Sequence, residues 1–417
     1  MSSPQTPRSV VRSTVVSVRT PRHAASQRRP SSRLRGVALA ALSLVLFGTS
    51  SFAIAYNDIQ TNIDRHDIDD LLGERPTLAG QEDPEPIDAS AGRDINIVVL
   101  GSDTRAGEVN DEYGTTPEGG QRSDTTMIAH ISADRERVEV VSIPRDTLVT
   151  IPSCRMGDGT WTAPQYDAMF NKAFSLGADG GDLGTAAACT INTIEELTDV
   201  YIDDFVIVDF AGFINVVDAL GGVPMCIPEP FSDRRAKVEL EAGPQVLNGR
   251  DALGFARARY NVPGSDGSDI QRIGRQQELV AAIAREALSK NLLTDLPELY
   301  RFLDAATSTL TTGSQLGSIP TLAGLAYSLR GIDPESIVFE TMPFEWAGNR
   351  VRPAAEAEEL WAALREDEPI QGALNAAGEE PTEEPTDEAT DEPTSEPTTP
   401  EPPLTADPQP TETPICP

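Results

Sequence analysis

The chain is poor in the side chains that most often bind metals through nitrogen or sulfur. Its 417 residues include only four cysteines and three histidines. No two cysteines have the CxxC spacing of a structural zinc site. Two of the three histidines precede residue 70. The sequence therefore argues against a zinc site and against a metal centre built on histidine.

Lysine is also scarce, and the charge is unevenly distributed. Three lysines accompany thirty arginines, and the formal net charge is −33. Residues 1–35 contain eight arginines and no acidic residue, whereas residues 379–417 contain twelve acidic residues and no lysine or arginine. An acidic folded body argues against nucleic-acid binding, because that affinity comes largely from basic residues that neutralise phosphates. An anionic substrate would need a local basic pocket.

One long apolar run lies near the N-terminus. Residues 36–56 are uncharged and have the length that a helix needs to cross a bilayer. Arginines before this run and acidic residues after it place the N-terminus in the cytoplasm and the remainder outside the cell membrane. We predict a disordered cytoplasmic tail over residues 1–35 and a single transmembrane anchor over residues 36–56. A cleaved signal peptide is the alternative, because residues 53–55, Ala-Ile-Ala, resemble a cleavage site.

Short apolar runs then alternate with segments of helical apolar spacing, which predicts an α/β fold with a central mixed β-sheet flanked by helices. The predicted strands are 95–100, 125–131, 138–143, 206–208, 223–227 and 336–341. The predicted helices are 165–174, 185–197, 211–220, 247–260 and 269–288.

Changes in composition predict the domain boundaries. Residues 57–93 are polar and read as an extracytoplasmic stalk. Residues 94–290 form the main α/β domain, and residues 291–370 form a helical extension packed on the same core. Residues 371–417 are rich in Pro, Glu and Thr and are predicted to be a disordered acidic tail, because they cannot bury enough apolar surface to fold.

The cysteines allow a disulfide if the domain is exported. We expect one bond among Cys154, Cys189 and Cys226, with Cys154 and Cys189 as the favoured pair. The alternative is that these three cysteines are buried free thiols.

One group of charged residues lies at the ends of the first three predicted strands. Its members are Asp103, Arg105, Arg122, Asp124, Arg145 and Asp146. Ligands of open α/β sheets collect near the carboxyl ends of strands, so this group is placed to form a site. Asp103 and Asp124 can hold one Mg²⁺, which needs few protein carboxylates when phosphate oxygens supply the other ligands. Ordinary turns and surface ion pairs are the alternative.

A second charged group spans the end of one predicted helix and the start of the next. It comprises Arg257, Arg259, Asp269, Arg272, Arg275 and Gln276. Arginine suits phosphate because its planar guanidinium donates two parallel hydrogen bonds and stays charged. Arg257 and Arg259 can converge only if the chain extends beyond the helix. A solvated helix face paired with acidic residues is the alternative.

Together the two groups predict a pyrophosphate site. The arginines would surround the phosphates, and a metal on Asp103 and Asp124 would neutralise charge on the leaving phosphate. A carboxylate, Asp103 or Asp146, could accept the proton of an attacking hydroxyl.

Seven segments occur in an order that resembles the LytR-CpsA-Psr family. They are INIVVLGSDTR, RSDTTMIAHIS, VEVVSIPRDTLV, NKAFSLGADGG, FVIVDFAGFINVVDALGGVPMCIPEPFSD, LNGRDALGFARARY and SDIQRIGRQQELV. The resemblance covers roughly residues 95–290. Single pieces such as PRD are weak signals, whereas ARAR followed by DxxRxxRQ is specific.

The resemblance implies an extracytoplasmic, membrane-anchored phosphotransferase of the actinobacterial type. With Mg²⁺ as cofactor, it would move a glycopolymer such as teichoic acid from a polyprenyl-pyrophosphate carrier to peptidoglycan. A polyprenyl-pyrophosphate hydrolase and a non-catalytic protein that binds the carrier or regulates transcription remain as alternatives.

The resemblance also implies roles for individual residues. Asp103 and Asp124 would act in metal-linked catalysis, with Arg145 and Asp146 beside them. The pyrophosphate ligands would be Arg105, Arg122, Arg145, Arg257, Arg259, Arg272, Arg275 and Gln276. The lipid chain would need an apolar tunnel, for which the candidates are Phe170, Phe174, Phe205, Phe210, Phe213 and Ile214.

Overall fold

The computed structural model describes residues 32–76, 92–103, 121–263, 265, 267–290, 296–371 and 416. Arg105 lies outside these residues, as do most of the predicted tails 1–35 and 371–417. The chain divides into two compact units, Met1–Ile54 and Ala55–Pro417.

The first unit contains most of a long apolar helix. Helix α1 spans Ser32–Asn62 and passes through the whole predicted anchor. Within it, Leu39–Asn62 is long and apolar enough to cross a membrane by length and composition, with a mean hydropathy of 1.8. The last turn of α1 belongs to the second unit, where the Gln60 side-chain amide donates to the carbonyl of Gly317 at 2.8 Å.

The second unit alternates strands with helices. The strands are β1 (Asp64–His66), β2 (Ile95–Ser102), β3 (Ser123–Ile131), β4 (Val138–Ser142), β5 (Leu148–Ile151), β6 (Gln165–Met169), β7 (Asp204–Val208), β8 (Val223–Ile227), β9 (Phe231–Asp233), β10 (Val238–Leu240), β11 (Gly243–Leu247), β12 (Leu310–Gly313), β13 (Val338–Thr341), β14 (Phe344–Ala347) and β15 (Arg350–Pro353). The helices are α2 (Lys172–Gly180), α3 (Leu183–Thr198), α4 (Phe210–Ala219), α5 (Gly249–Arg257), α6 (Asp269–Ser289), α7 (Leu296–Thr307), α8 (Ile319–Ser328) and α9 (Glu356–Arg365).

A seven-stranded sheet organises this unit, in the order β1-β12-β7-β2-β3-β4-β13. The pairs β1–β12, β7–β2 and β4–β13 are parallel, and the others are antiparallel. The predicted mixed α/β sheet with flanking helices is therefore confirmed. Four smaller two-stranded sheets join β5 to β6, β8 to β11, β9 to β10 and β14 to β15.

The outer strands β1 and β13 both lie outside the predicted main domain of residues 94–290, although β13 was predicted as a strand over residues 336–341. Strand β1 lies in residues 57–93, the predicted stalk, and pairs with β12. Strands β12 and β13 both lie in the predicted helical extension, and β12 was not predicted. The stalk assignment is thus wrong for the described residues 57–76, because a three-residue strand is too short for its apolar pattern to be visible.

The helix predicted over residues 165–174 is wrong in its first half. Residues 165–169 form β6, which pairs antiparallel with β5, and α2 begins only at Lys172. The hydrogen bonds of the β5–β6 ladder stabilise the extended backbone, and this partner is not apparent from the local apolar pattern.

The sheet is covered on both faces. On one face, buried side chains of the central strands pack against α2, α3 and α9. These buried residues include Val98, Leu100, Ile128, Phe174 and Trp361. On the other face, Ile95 and Ile97 pack against Leu325 of α8, while α4 to α7 stand over the remainder. The second face therefore holds space between its strands and helices.

Two disulfides constrain the chain. The predicted bond between Cys154 and Cys189 is confirmed. Cys226 of β8 bonds to Cys416, which was not predicted. The start of the acidic tail is also fixed, because the N–H of the buried residue Ile370 donates to Glu139 at 3.0 Å. Both ends of the acidic tail are therefore attached to the folded unit.

A buried carboxylate fixes the turn after β12. Asp204 accepts hydrogen bonds from the backbone N–H groups of Phe205, Gln315 and Leu316. Burial raises its pKa to about 6, although these three donors act in the opposite direction. Gly313 allows this approach, because a Cβ atom there would lie 1.6 Å from an Asp204 oxygen.

We expect the protonation of Asp204 to shape the pH dependence of stability. Because the folded pKa exceeds the ordinary value of 3.8, the stabilisation from protonation is complete below that value and is lost as the pH rises through about 6. The change should be at most about 3 kcal/mol. Asp204→Asn should flatten the free energy of unfolding between pH 4 and pH 6, measured by denaturant titration. An unchanged slope would contradict this assignment.

Candidate pyrophosphate and lipid site

An apolar cavity of about 590 Å³ lies between the second face of the sheet and helices α4 to α7. Its floor is formed by side chains of β2, β3, β7 and β12, such as Val99 and Met127. Its walls are apolar side chains of the helices: Phe210, Phe213, Val216, Leu253, Leu279, Val280, Ile283 and Phe302. Polar residues line only part of it: Asp124, Asp209, Arg145, Arg257, Arg259, Arg272 and Gln276, with Ser102 and Thr125.

Only part of the predicted lipid-binding set lines this cavity. Phe210 and Phe213 of α4 do so. Phe170, Phe174 and Phe205 do not, because they are buried in the core on the opposite face of the sheet. Ile214 is buried next to Gly249 of α5 rather than in the cavity wall. The sequence identified these residues as apolar, but it did not indicate which face of the sheet each one covers.

The polar part of the cavity is organised by Asp269. Its carboxylate oxygen Oδ1 lies 2.7 Å from Arg259 Nη2, 2.7 Å from Arg272 Nη2 and 3.2 Å from Arg145 Nε. The Asp269 side chain is only 7% exposed. Three arginines from three chain segments thus share one buried acidic partner, and their summed charge exceeds that of the carboxylate.

Asp124 supplies a second acidic partner to the same arginines. Its Oδ1 atom lies 2.5 Å from Arg145 Nη1, and its backbone carbonyl accepts from Arg272 at 2.9 Å. Burial acts to raise the pKa of Asp124, but the charges of Arg145, Arg272 and Arg259 outweigh it and lower that pKa. Asp124 is therefore held as a carboxylate. Burial also lowers the pKa of Arg272 to about 10, which leaves it charged at neutral pH.

The chain leaves its helical path between Arg257 and Arg259, as the convergence of these arginines requires. Helix α5 ends at Arg257, and Ala258 is extended, with φ −60° and ψ 135°. Both arginines consequently line the cavity. Asp233 fixes the backbone here by accepting from the N–H groups of Arg259 at 2.8 Å and Tyr260 at 3.0 Å. The Arg257 guanidinium also lies 4.6 Å from the centre of the Phe210 ring.

Two predicted phosphate ligands mainly hold this bend. Arg275 donates to the carbonyl of Ala258 and does not line the cavity. Burial and then the charge of Arg259 lower its pKa. Gln276 lines the cavity while its amide donates to the carbonyl of Ala256 at 3.3 Å.

Three further predicted residues, Asp103, Arg122 and Asp146, lie beside the cavity rather than in its lining. Asp103 accepts from the backbone N–H of Arg122 at 2.6 Å, which joins the residue after β2 to the residue before β3. The Arg122 residue is exposed. Asp146 has a buried oxygen, Oδ1, with no hydrogen-bond partner among the described residues. Burial and the nearby charge of Asp269 raise its pKa.

The oxygen atoms that could act as metal ligands here fit a hard cation better than a soft one. Asp103 and Asp124 offer carboxylate oxygens at the same end of β2 and β3, which is the chemistry that Mg²⁺ prefers. Within the described residues, no group of three or more His, Cys, Asp or Glu residues could hold a metal ion by itself. A cation here would need ligands from its substrate.

The geometry depends on two acidic residues, Asp269 and Asp233. The sequence placed Asp269 in the second charged group without assigning it a role, and it gave no indication of Asp233. Asp269 precedes Arg272 by three residues in the first turn of α6, and this spacing does indicate an ion pair. The contacts of Asp269 with Arg145 and of Asp233 with Arg259 join distant segments, and no local spacing reveals them.

A family model described as the LytR_cpsA_psr family matches residues 54–366. The chain belongs to the LytR-CpsA-Psr family. It is 31% identical over 280 residues to a probable cell wall biosynthesis protein, LcpB, of Corynebacterium glutamicum, an alignment that covers 65% of this chain and 61% of that protein. This family member therefore spans about three fifths of the length of LcpB.

Two further comparisons agree with this assignment. The chain is 30% identical to the polyisoprenyl-teichoic acid–peptidoglycan teichoic acid transferase TagT of Bacillus subtilis, over 62% of this chain and 71% of TagT. A solved protein of Streptococcus agalactiae has a TM-score of 0.50 at 20% identity, over 69% of this chain and 90% of that protein, which shows that the two share a fold.

We expect the loss of the Asp269 charge to destabilise the protein and to make its stability depend on anions. Asp269→Asn leaves three arginines without their shared counter-charge, which should cost about 3–5 kcal/mol. Inorganic pyrophosphate should restore part of this loss, measured as the unfolding temperature with and without the anion.

Asp251→Asn is the matched control, because Asp251 lies in the first turn of α5 and contacts Asn248 rather than an arginine. If both variants lose the same stability, or if pyrophosphate leaves Asp269→Asn unchanged, Asp269 does not organise an anion site.

Proposed function

We propose that the protein transfers a glycopolymer from a polyprenyl-pyrophosphate carrier to peptidoglycan, on the outer side of the cell membrane. The observation that carries this proposal is the junction of an apolar cavity with a cluster of arginines, of which Arg272 is buried and Arg145, Arg257 and Arg259 are partly buried. Such a cavity suits a molecule with a long hydrocarbon chain at one end and two phosphates at the other. The names of LcpB and TagT, which refer to cell wall biosynthesis and to teichoic acid transfer, support the same class of substrate.

The hydrocarbon chain would lie along α4, α5 and α6, where the cavity wall is apolar. Its burial would contribute about 25 cal/mol per Å² of apolar surface removed from water. The two phosphates would then reach Arg145, Arg257 and Arg259. These guanidinium groups are already oriented by Asp269, Asp124 and the Phe210 ring, so little side-chain entropy is lost on binding.

In the proposed reaction, an acceptor hydroxyl oxygen forms a bond to the phosphorus that carries the glycan. The bond from that phosphorus to the bridging oxygen breaks, and polyprenyl phosphate leaves with the electron pair. The arginines stabilise the negative charge that develops on the phosphate oxygens. Mg²⁺, held by Asp103, Asp124 and phosphate oxygens, would supply further charge neutralisation when bound.

The proton of the acceptor hydroxyl must pass to a base. Asp124 is a poor candidate, because its pKa is lowered and its Oδ1 atom is paired with Arg145. Asp146 fits better, because its pKa is raised and its Oδ1 atom has no hydrogen-bond partner among the described residues. We assign the base to Asp146, with Asp103 as the second candidate.

The proposed location follows from α1. A single helix of this length and apolarity would anchor the protein in the cell membrane, and the arginines before it would keep the N-terminus in the cytoplasm. The catalytic unit would then lie on the side where both peptidoglycan and the lipid-linked polymer are exposed.

The decisive experiment uses the full chain in detergent with a polyprenyl-pyrophosphate-linked oligosaccharide, Mg²⁺ and peptidoglycan oligomers. We expect release of polyprenyl phosphate together with oligosaccharide joined to the glycan. Arg259→Ala should lower this rate by about 100-fold or more, because one preorganised donor to the reacting phosphate is lost. Chelation of Mg²⁺ should also lower it.

Arg330→Ala is the control, because Arg330 lies against Tyr327 at the end of α8, away from the cavity. Release of polyprenyl phosphate with water as the only acceptor would instead identify a hydrolase. Full activity of Arg259→Ala would exclude the arginine cluster as the site.

The pH profile tests the assignment of the base. Asp146 must be ionised to accept a proton, so kcat/KM should fall as the pH drops through its pKa. Because that pKa is raised, the acidic limb should lie above the usual range of an aspartate. Asp146→Asn should remove this limb and lower the rate by about 10²- to 10⁴-fold. If the limb persists in Asp146→Asn and disappears in Asp103→Asn, the base is Asp103.

A further inference from the structure

A stacked pair of exposed side chains lies next to the arginine cluster. The guanidinium carbon of Arg235 is 4.3 Å from the centre of the Tyr260 ring. Arg235 lies in the turn between β9 and β10, and Tyr260 directly follows Arg259, which lines the cavity. Tyr260 is 46% exposed and Arg235 is also exposed, so the pair is accessible to solvent. The pyrophosphate contacts proposed above use neither residue.

One buried carboxylate fixes the backbone of both members of this pair and of Arg259. Asp233 Oδ1 accepts from the N–H groups of Arg235 at 2.8 Å and Ala236 at 3.2 Å. Its Oδ2 atom accepts from the N–H groups of Arg259 and Tyr260. Burial acts to raise the pKa of Asp233, but these four donors outweigh it and lower that pKa. The pair is therefore held in place beside Arg259 before any ligand binds.

The polar groups of the pair are available to a ligand. Among the residues that the structure describes, the Arg235 guanidinium has no acidic partner and the Tyr260 hydroxyl makes no hydrogen bond. One exposed arginine is ordinary by itself. Here the chain has 66 acidic and 33 basic residues, and the guanidinium is stacked on a ring that is tied to the site. This combination favours an anionic ligand that also offers a surface for the ring.

The position of the pair limits what it can bind. The cavity wall is apolar along α4, α5 and α6, and the polar end reaches solvent at Arg145 and Arg259, whose side chains are 28% and 22% exposed. A glycan joined to a phosphate at Arg259 leaves through this end, because its hydroxyls would lose their hydrogen bonds against the apolar wall. Consecutive Cα atoms lie about 3.8 Å apart, so the first sugars pass close to Tyr260.

We propose that Arg235 and Tyr260 bind an anionic sugar close to the pyrophosphate end of the donor glycopolymer. This proposal rests on the proposed function and adds a preference for donors with negative charge on their first sugars. A sugar packs its C–H face on the exposed part of the Tyr260 ring, and the hydroxyl of that residue hydrogen-bonds to the sugar hydroxyls. The Arg235 guanidinium binds a carboxylate or phosphate group of the glycan.

The test measures donor binding by titration calorimetry without acceptor. The full-length protein in detergent receives four ligands: geranylgeranyl pyrophosphate alone, and the same carrier with a neutral disaccharide, with a disaccharide of uronic acids, or with a disaccharide that carries phosphate esters. Wild type should bind at least one of the two anionic ligands about tenfold more tightly than the neutral one. The two anionic ligands show whether carboxylate or phosphate is preferred.

Variants of the pair separate the charge from the ring. Arg235→Ala should remove the preference for anionic ligands. Tyr260→Ala should weaken the binding of every glycan-bearing ligand severalfold, whereas Tyr260→Phe keeps the ring and should retain most of the affinity. Each variant should bind geranylgeranyl pyrophosphate alone as wild type does, because neither side chain lines the cavity. This last measurement also shows that the variant is folded.

Arg330→Ala is the matched control. The guanidinium carbon of Arg330 lies 3.7 Å from the centre of the Tyr327 ring, so these residues form the same type of exposed pair, and neither lines the cavity. Arg330→Ala should change none of the four affinities.

The outcomes distinguish this proposal from the proposed function. Equal affinity of wild type for the neutral and both anionic ligands would overturn the role of the pair while transfer stands. A preference that survives in Arg235→Ala, or is lost equally in Arg330→Ala, would also overturn it. Loss of peptidoglycan-oligomer binding in Arg235→Ala, with donor affinities unchanged, would assign the pair to the acceptor instead.

Two further outcomes concern the activity itself. If geranylgeranyl pyrophosphate alone does not bind to wild type, both proposals fail, because the pair is proposed to act on a glycan that the arginine cluster holds. A preference for anionic ligands that depends on Arg235, in a protein that shows no transfer, would support the pair and remove the proposed activity.

Discussion

The ion pairs of Asp269 with Arg145, Arg259 and Arg272 are the constraint on which the site depends. They join the loop after β4, the extended chain after α5 and the first turn of α6 at one buried carboxylate. Burying these charges is costly, and the cost is offset only while every member keeps its partners. The positive charge of the arginines exceeds the negative charge of Asp269. An incoming anion would neutralise this excess.

The same helices serve the apolar and polar parts of the cavity. Helix α6 begins with Asp269 and Arg272 and continues with Leu279 and Ile283, so its first turns lie at the arginine cluster and its later turns at the apolar wall. In the proposed complex, this one rigid helix would set the position of the head group relative to the hydrocarbon chain. Phe210 joins the two parts, because its ring contacts Arg257 and also lines the apolar wall.

Local patterns revealed the sheet and most of the site, but not its long-range contacts. The strands of the sheet centre carry continuous apolar runs, and the arginines after α5 and in α6 follow a specific order, so both were predictable. Two other features were not predictable. The edge strand β1 has only three residues, and its partner β12 lies far away in sequence. The pairing of β6 with β5 is not visible in the apolar pattern of β6 alone. The contact of Arg275 with the Ala258 carbonyl was not predictable either, because it depends on the bend after α5.

The bond between Cys226 and Cys416 changes the topology of the chain. It closes a covalent loop that contains residues 226–416. Together with the hydrogen bond from Ile370 to Glu139, it tethers the acidic segment at both Ile370 and Cys416. A segment tethered at both points cannot extend away from the folded unit as a linear spacer would. The second tether lasts only while the redox potential of the surroundings keeps the disulfide oxidised.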